Sequence, residues 1–157
     1  MATVSTVVLV GLMPDAKAAD CIGDGTDNVC VITLGEELDT QDGAGNTAAG
    51  DTVQFDDAGN TLTFTAGQFE TAANGGNIVN FENAEVVAGT TVEIDSSVTG
   101  DAPVSMAWTI DGTLRVFGTI GNAIGDASSV DIGATGVFNV DNSETIGALS
   151  GNAGASI

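Results

Sequence analysis

Apolar residues recur along this chain at intervals of 22 residues. One ladder of such positions consists of Phe64, Val86, Trp108 and Val130. A second ladder, two positions later, consists of Ala66, Ala88, Ile110 and Ile132. A single coil of this length cannot bury its inner face alone, whereas stacked coils bury equivalent side chains over one another. The period therefore predicts a stacked-repeat core in which these ladder residues point inward.

Short apolar runs, punctuated by glycine and asparagine, predict many short strands and no amphipathic helix. The predicted strands lie in segments 29–34, 53–55, 61–67, 77–81, 84–89, 91–95, 108–118, 129–141 and 144–151. Three strands of this length with their corners account for one coil of about 22 residues. An antiparallel sandwich or roll also has short strands and turns. The fixed step favours an all-β parallel solenoid over residues 53–157, because a sandwich has no reason to repeat at a constant interval.

The net charge of −20 excludes some partners. The chain has 22 acidic residues against Lys17 and Arg115, with no histidine or tyrosine among its 157 residues. Nucleic acid and anionic lipid would be repelled by such a surface. The charge is explained most simply by a solvated, soluble surface, and the alternative is cation binding.

The N-terminus has the pattern of a secretory signal peptide. Residues 2–13 form an apolar run, Pro14 ends it, and Ala16-Lys17-Ala18 provides a small-x-small cleavage site. The run is too short for a transmembrane helix. We therefore expect residues 1–18 to be removed and the mature segment to be exported through the periplasm and not embedded in a membrane. No Lys or Arg precedes the run, so the true leader is expected to begin further upstream.

Two cysteines, Cys21 and Cys30, follow the predicted cleavage site. In an oxidising compartment, a pair at this spacing predicts a disulfide. Two free thiols or half of a metal site are the alternatives, although a zinc site lacks further soft ligands. Residues 19–52 are accordingly predicted to form a disulfide-containing N-terminal cap and loop.

Acidic side chains in the cysteine loop are weak candidates for calcium ligands, because carboxylates supply the oxygen atoms that calcium prefers. These residues are Asp20, Asp24 and Asp27. Their spacing misses the EF-hand pattern, and the nonapeptide repeat of calcium-binding β-rolls is absent. The sequence thus predicts no cofactor and no specific metal site, with calcium kept as an alternative.

Three segments share a glycine-containing corner and alternating strand residues: VVAGTTVEID (86–95), WTIDGTLRVFGTI (108–120) and SVDIGATGVFNVDNSETIGALSG (129–151). Together with the leader that ends in AKAAD (16–20), these segments resemble the passenger domains of bacterial autotransporters. The resemblance implies a right-handed parallel β-helix for residues 53–157. It also implies a C-terminal outer-membrane β-barrel. By the 22-residue step Ile157 falls in mid-repeat, and no barrel-like strand that ends in an aromatic residue is seen, so we expect this segment to be the N-terminal portion of a longer passenger.

Catalytic groups are scarce. Without histidine a Ser-His-Asp arrangement cannot form, and Arg115 is the one cation left after the leader is removed. Carboxylate pairs such as Asp56-Asp57 and Glu36-Glu37 exist by number alone, and Arg115 is expected to be a solvent-facing strand residue that offsets negative charge. We therefore expect a non-catalytic surface segment that acts in adhesion, in self-association or as a stalk, with surface ligands of host or bacterial cells, or itself, as partners. The alternatives are a secreted polysaccharide-acting β-helix enzyme and a calcium-dependent surface-layer or matrix protein.

Overall fold

The structure is a computed structural model that describes residues 29–33, 41–42, 50–69, 78–79, 81–97, 105–119, 123–141 and 143–157. The predicted leader, residues 1–18, and the predicted calcium candidates Asp20, Asp24 and Asp27 lie outside these residues.

Nearly every element in the described part of the chain is a short strand. The strands are β1 (Val29–Ile32), β2 (Gln41–Asp42), β3 (Thr52–Phe55), β4 (Thr61–Thr65), β5 (Ile78–Val79), β6 (Asn83–Val86), β7 (Thr91–Asp95), β8 (Ala107–Ile110), β9 (Thr113–Phe117), β10 (Ser129–Ile132), β11 (Val137–Val140) and β12 (Ala148–Gly151). One 3-10 helix, Ala66–Phe69, follows β4.

The strands are parallel and stack in register. The large sheet has the order β1-β3-β6-β8-β10-β12, the small sheet has the order β4-β7-β9-β11, and β2 pairs with β5. Every strand pairing in these sheets is parallel. The prediction of an all-β parallel stack is confirmed, because this arrangement is consistent with a solenoid and not with an antiparallel sandwich.

Alternation along each strand separates the core from the surface. In β8, Trp108 and Ile110 are buried while Ala107 and Thr109 are exposed, as expected for side chains with a period of two. In β9, Leu114 and Val116 are buried in the same way. The two sheets therefore enclose one continuous apolar core.

An aromatic cluster lies inside the first described coils. The rings of Phe55 and Trp108 are nearly parallel, with centroids 6.2 Å apart and an interplanar angle of 5°. Phe64 meets Phe55 edge to face at 5.2 Å, and Phe69 lies 5.9 Å from Trp108. Trp108 is thus a core residue that shares its column with Val130, as the sequence predicted.

The two ladders given above are each correct in only one of their intervals. Trp108 pairs with Val130 and Ile110 pairs with Ile132, each at the predicted step. Val86, however, pairs with Ile110 and not with Trp108, which is paired with Ala84.

Three predicted ladder residues lie elsewhere. Phe64 belongs to the small sheet, where it pairs with Ile94. Ala66 is buried in the 3-10 helix. Ala88 is exposed in the corner between β6 and β7, so its predicted inward position is wrong. The expected columns therefore combine residues from both sheets and from the corners.

The lengths of the connections explain these errors. Corners from the large sheet to the small sheet are short, from residues 111–112 after β8 to residues 56–60 after β3. The return connections range from residues 141–147 before β12 to residues 66–82 before β6. As a result, the step between paired strands of the large sheet varies from 19 residues (Ser129 to Ala148) to 31 residues (Thr52 to Asn83).

Candidate functional site

The outward face of the small sheet carries a charged network centred on Arg115. Its Nη1 donates to Oε1 of Glu93 at 3.0 Å, and its Nε donates to Oδ2 of Asp141 at 2.9 Å. Nη2 also bonds to Asp141. The guanidinium carbon lies 5.0 Å from the ring centroid of Phe117. One cation therefore bridges carboxylates from coils on both sides of its own.

This arrangement makes Arg115 a stabilising cation and a poor proton acceptor. Hydrogen bonds that Arg115 donates to Asp141, and then to Glu93, raise its pKa above the ordinary value. A guanidinium held in this way does not release its proton at neutral pH and is unsuited to act as a general base. The prediction that Arg115 faces solvent and offsets local negative charge is confirmed by these ion pairs.

Removing this cation should weaken the stack slightly and in a salt-dependent manner. We expect Arg115→Met, which keeps most of the aliphatic stem, to lower the urea midpoint by a small amount. The loss should be larger at low salt, because Glu93 and Asp141 then repel other carboxylates without screening. Urea unfolding at two salt concentrations measures this effect. Arg115→Lys is the matched control, because it keeps the charge, and equal midpoints for Met and Lys variants at low salt would contradict the prediction.

Of the candidate carboxylate pairs, Asp56-Asp57 lies in the corner between β3 and β4. Asp57 accepts a hydrogen bond from Nδ2 of Asn60 at 2.7 Å, and its backbone N–H donates to Oγ1 of Thr90 at 2.8 Å. Asp56 is exposed beside it. No group of three or more potential metal-ligating side chains occurs among the described residues. Glu36, Glu37 and the three calcium candidates lie outside them.

Cys30 lies in the core at the first described coil. It is 1% exposed, pairs with Val53 of β3 and is disulfide-bonded. Cys21, the predicted partner, lies outside the described residues, so this pairing stays a prediction.

Side chains that join successive coils outside the strand ladders are the feature that the sequence analysis missed. Oγ of Ser128 accepts a hydrogen bond from the N–H of Met106 at 3.1 Å, and Oγ of Ser105 accepts one from Ala127 at 3.1 Å. Glu144 does the same with its carboxylate. In the sequence, the signal for such a contact is a polar residue that lies about one coil away from an apolar segment. Residue 144 was instead included in the predicted strand 144–151.

The Glu144 carboxylate is the one such acceptor with a perturbed pKa among the described residues. Oε2 accepts from the N–H of Ala123 at 2.8 Å, and Oε1 accepts from the N–H of Ile124 at 3.4 Å. Burial raises the pKa of Glu144, and the negative charge of Asp126 adds to this rise, while the backbone hydrogen bonds oppose it. The half-buried carboxyl group is therefore more easily protonated than an ordinary glutamate.

The search for similar proteins found no matching family model, no similar curated protein and no similar solved structure. In the described part of the chain, no helix has the length and apolar character needed to cross a membrane.

Proposed function

We propose that this chain is a non-catalytic, surface-exposed passenger segment that acts in adhesion, in self-association or as a structural stalk. The observation that supports it most directly is the in-register stack of parallel strands around one continuous core. In this proposal the stack is a right-handed parallel β-helix with coils near the 22-residue step seen between β8 and β10. Such a stack builds a rigid rod with repeating polar faces, which suits display and multivalent contact.

Export is part of the same proposal. The leader-like residues 1–18, the acidic composition and the disulfide at Cys30 are compatible with a protein that matures outside the cytoplasm. The predicted cap of residues 19–52 would then precede the stack at the cell surface. A C-terminal outer-membrane barrel would carry the segment there, as the autotransporter resemblance implies.

One observation favours the alternative of a polysaccharide-acting protein. Glu93, Arg115 and Asp141 lie together on an open face of the small sheet, beside the aromatic ring of Phe117. Carboxylates and an aromatic ring are groups that bind sugars or act on them. Against catalysis, both carboxylates are already engaged by Arg115.

A displayed passenger, compared with and without residues 20–157, tests the proposal. Cell-binding and autoaggregation assays should both be run, with a calcium-chelated sample as a parallel arm. Loss of either activity on deletion is the expected result if the segment is adhesive or self-associating. Unchanged binding and aggregation would reduce the segment to a spacer.

The same purified segment should be screened against a panel of polysaccharides. We expect no cleavage of any of them. Turnover that disappears in Arg115→Met but survives in Arg115→Lys, or that depends on Glu93, would overturn the non-catalytic assignment and favour the alternative.

A further inference from the structure

Glu144 joins two successive coils at a place where strand pairing is absent among the described residues. It lies in the connection from β11 to β12, and its carboxylate accepts from Ala123 and Ile124 in the connection from β9 to β10. Both of these partners are 1% exposed. The carboxyl group thus takes the role that a third strand ladder would otherwise fill, and it does so with a titratable side chain.

The surroundings of this carboxyl group are mostly apolar and contain no described cation. Glu144 lines a small cavity whose other walls are Ser96, Val116, Phe117, Ala123, Val140 and Ser143. None of these wall residues is ionisable.

The neighbouring charged groups do not compensate the carboxylate. Asp126, on the connection before β10, acts on Glu144 with a charge of the same sign. Arg115 of β9 is held on the outward face by Glu93 and Asp141. Asp95, at the end of β7, accepts a hydrogen bond from the backbone N–H of Ser97. Among the described residues, the groups that offset the ionised carboxylate are therefore backbone N–H groups.

We propose that Glu144 is a pH-sensitive clasp between the last two described coils, which holds them more firmly when its carboxyl group is protonated than when it is ionised. A neutral carboxyl keeps a carbonyl oxygen that accepts hydrogen bonds from these backbone N–H groups, and it removes a half-buried negative charge that the charge of Asp126 repels. Acidification therefore tightens this end of the stack, and neutral pH loosens it.

The sign follows from linkage. The pKa of Glu144 is raised in the folded protein above its ordinary value of 4.5. A group with a raised folded pKa binds protons more tightly in the folded state, so its contribution to stability is fully present below the unfolded pKa. That contribution is lost as the pH rises from about the ordinary value through the folded pKa. The clasp is thus weakest at neutral pH.

Amide hydrogen exchange of the full chain, corrected for the intrinsic effect of pH, tests this clasp. The amides of Ala123 and Ile124 should be about fivefold better protected at pH 4.5 than at pH 7, the ratio expected for a modest change in local opening. The amide of Val87, which donates to the carbonyl oxygen of Phe55 in an earlier coil, reports the global effect of the −20 charge and serves as the internal reference.

Two substitutions separate charge from contact. Glu144→Gln keeps an acceptor without the charge and should give high, pH-independent protection of Ala123 and Ile124. Glu144→Ala removes the acceptor and should lower protection at both pH values. Protection in Glu144→Gln that is lower than wild type at pH 7 would overturn the proposal, as would a wild-type pH response no larger than that of Val87.

Discussion

Replacing Ile110 with aspartate should abolish cooperative folding of the stack. Ile110 is fully buried and lies between Val86 and Ile132 in the centre of the large sheet. An unpaired carboxylate at this depth costs several kcal/mol, on the order of 4 or more, and this is a large part of the ~5–15 kcal/mol by which a domain is stable. Protonation of the new aspartate would reduce the cost but still leave a polar group without partners.

Urea unfolding followed by far-UV circular dichroism measures this loss. Ala107→Asp is the matched control, because it introduces the same side chain in the same strand on the exposed face. Its register neighbours are the uncharged Asn83 and Ser129, so we expect a change within about 1 kcal/mol. An Ile110→Asp protein with a wild-type unfolding midpoint would contradict the described core.

Truncating Trp108 to alanine should produce the second large effect. Its ring stacks on Phe55 at 6.2 Å and contacts Phe69 at 5.9 Å, and its side chain is 1% exposed. Removal of the indole leaves a cavity beside two aromatic rings. The hydrogen-bonded strands cannot move together to close this cavity. Large-to-small changes of this kind cost about 3–5 kcal/mol.

Trp108→Phe should be tolerated much better. The indole Nε1 finds no hydrogen-bond acceptor among the described residues, so phenylalanine removes a desolvated donor while it keeps most of the aromatic contact. We expect a cost below about 2 kcal/mol. Circular dichroism is again the measurement, since Trp108 is the only tryptophan. Equal losses for alanine and phenylalanine would mean that the indole N–H, and not the ring packing, is the important group.

The period of the sequence was sufficient to predict the type of fold. Apolar alternation in segments such as TVEID and TLRVF specifies which side chains face inward. The step of 22 residues correctly paired Trp108 with Val130 and Ile110 with Ile132. It failed for Phe64 and Ala88 because a fixed step assumes equal coils, whereas the return connections differ in length. Pairing energy acts on the strands, so connections can change length without changing the ladder.

The candidate site was only partly predictable. Arg115 could be singled out because the chain has only two basic residues. Its contacts with Glu93 and Asp141 could not be predicted, because they depend on the register in which the strands of the small sheet pair. Asp141 lies 26 residues after Arg115 and not one 22-residue step away. Glu144 carried no distinguishing local pattern, because its role comes from a connection that packs next to another connection.

The uneven distribution of connection lengths has a consequence for how such a chain can vary. The connections that differ most in length lie on one side of the stack, between the small sheet and the next strand of the large sheet. The opposite corner is as short as Asp111-Gly112, where a Cβ on Gly112 would come within 2.4 Å of the carbonyl oxygen of Thr90. Foreign peptides could therefore be grafted into the long side and not into the short corner, which makes one edge of the molecule a natural site for sequence drift and for engineered epitopes.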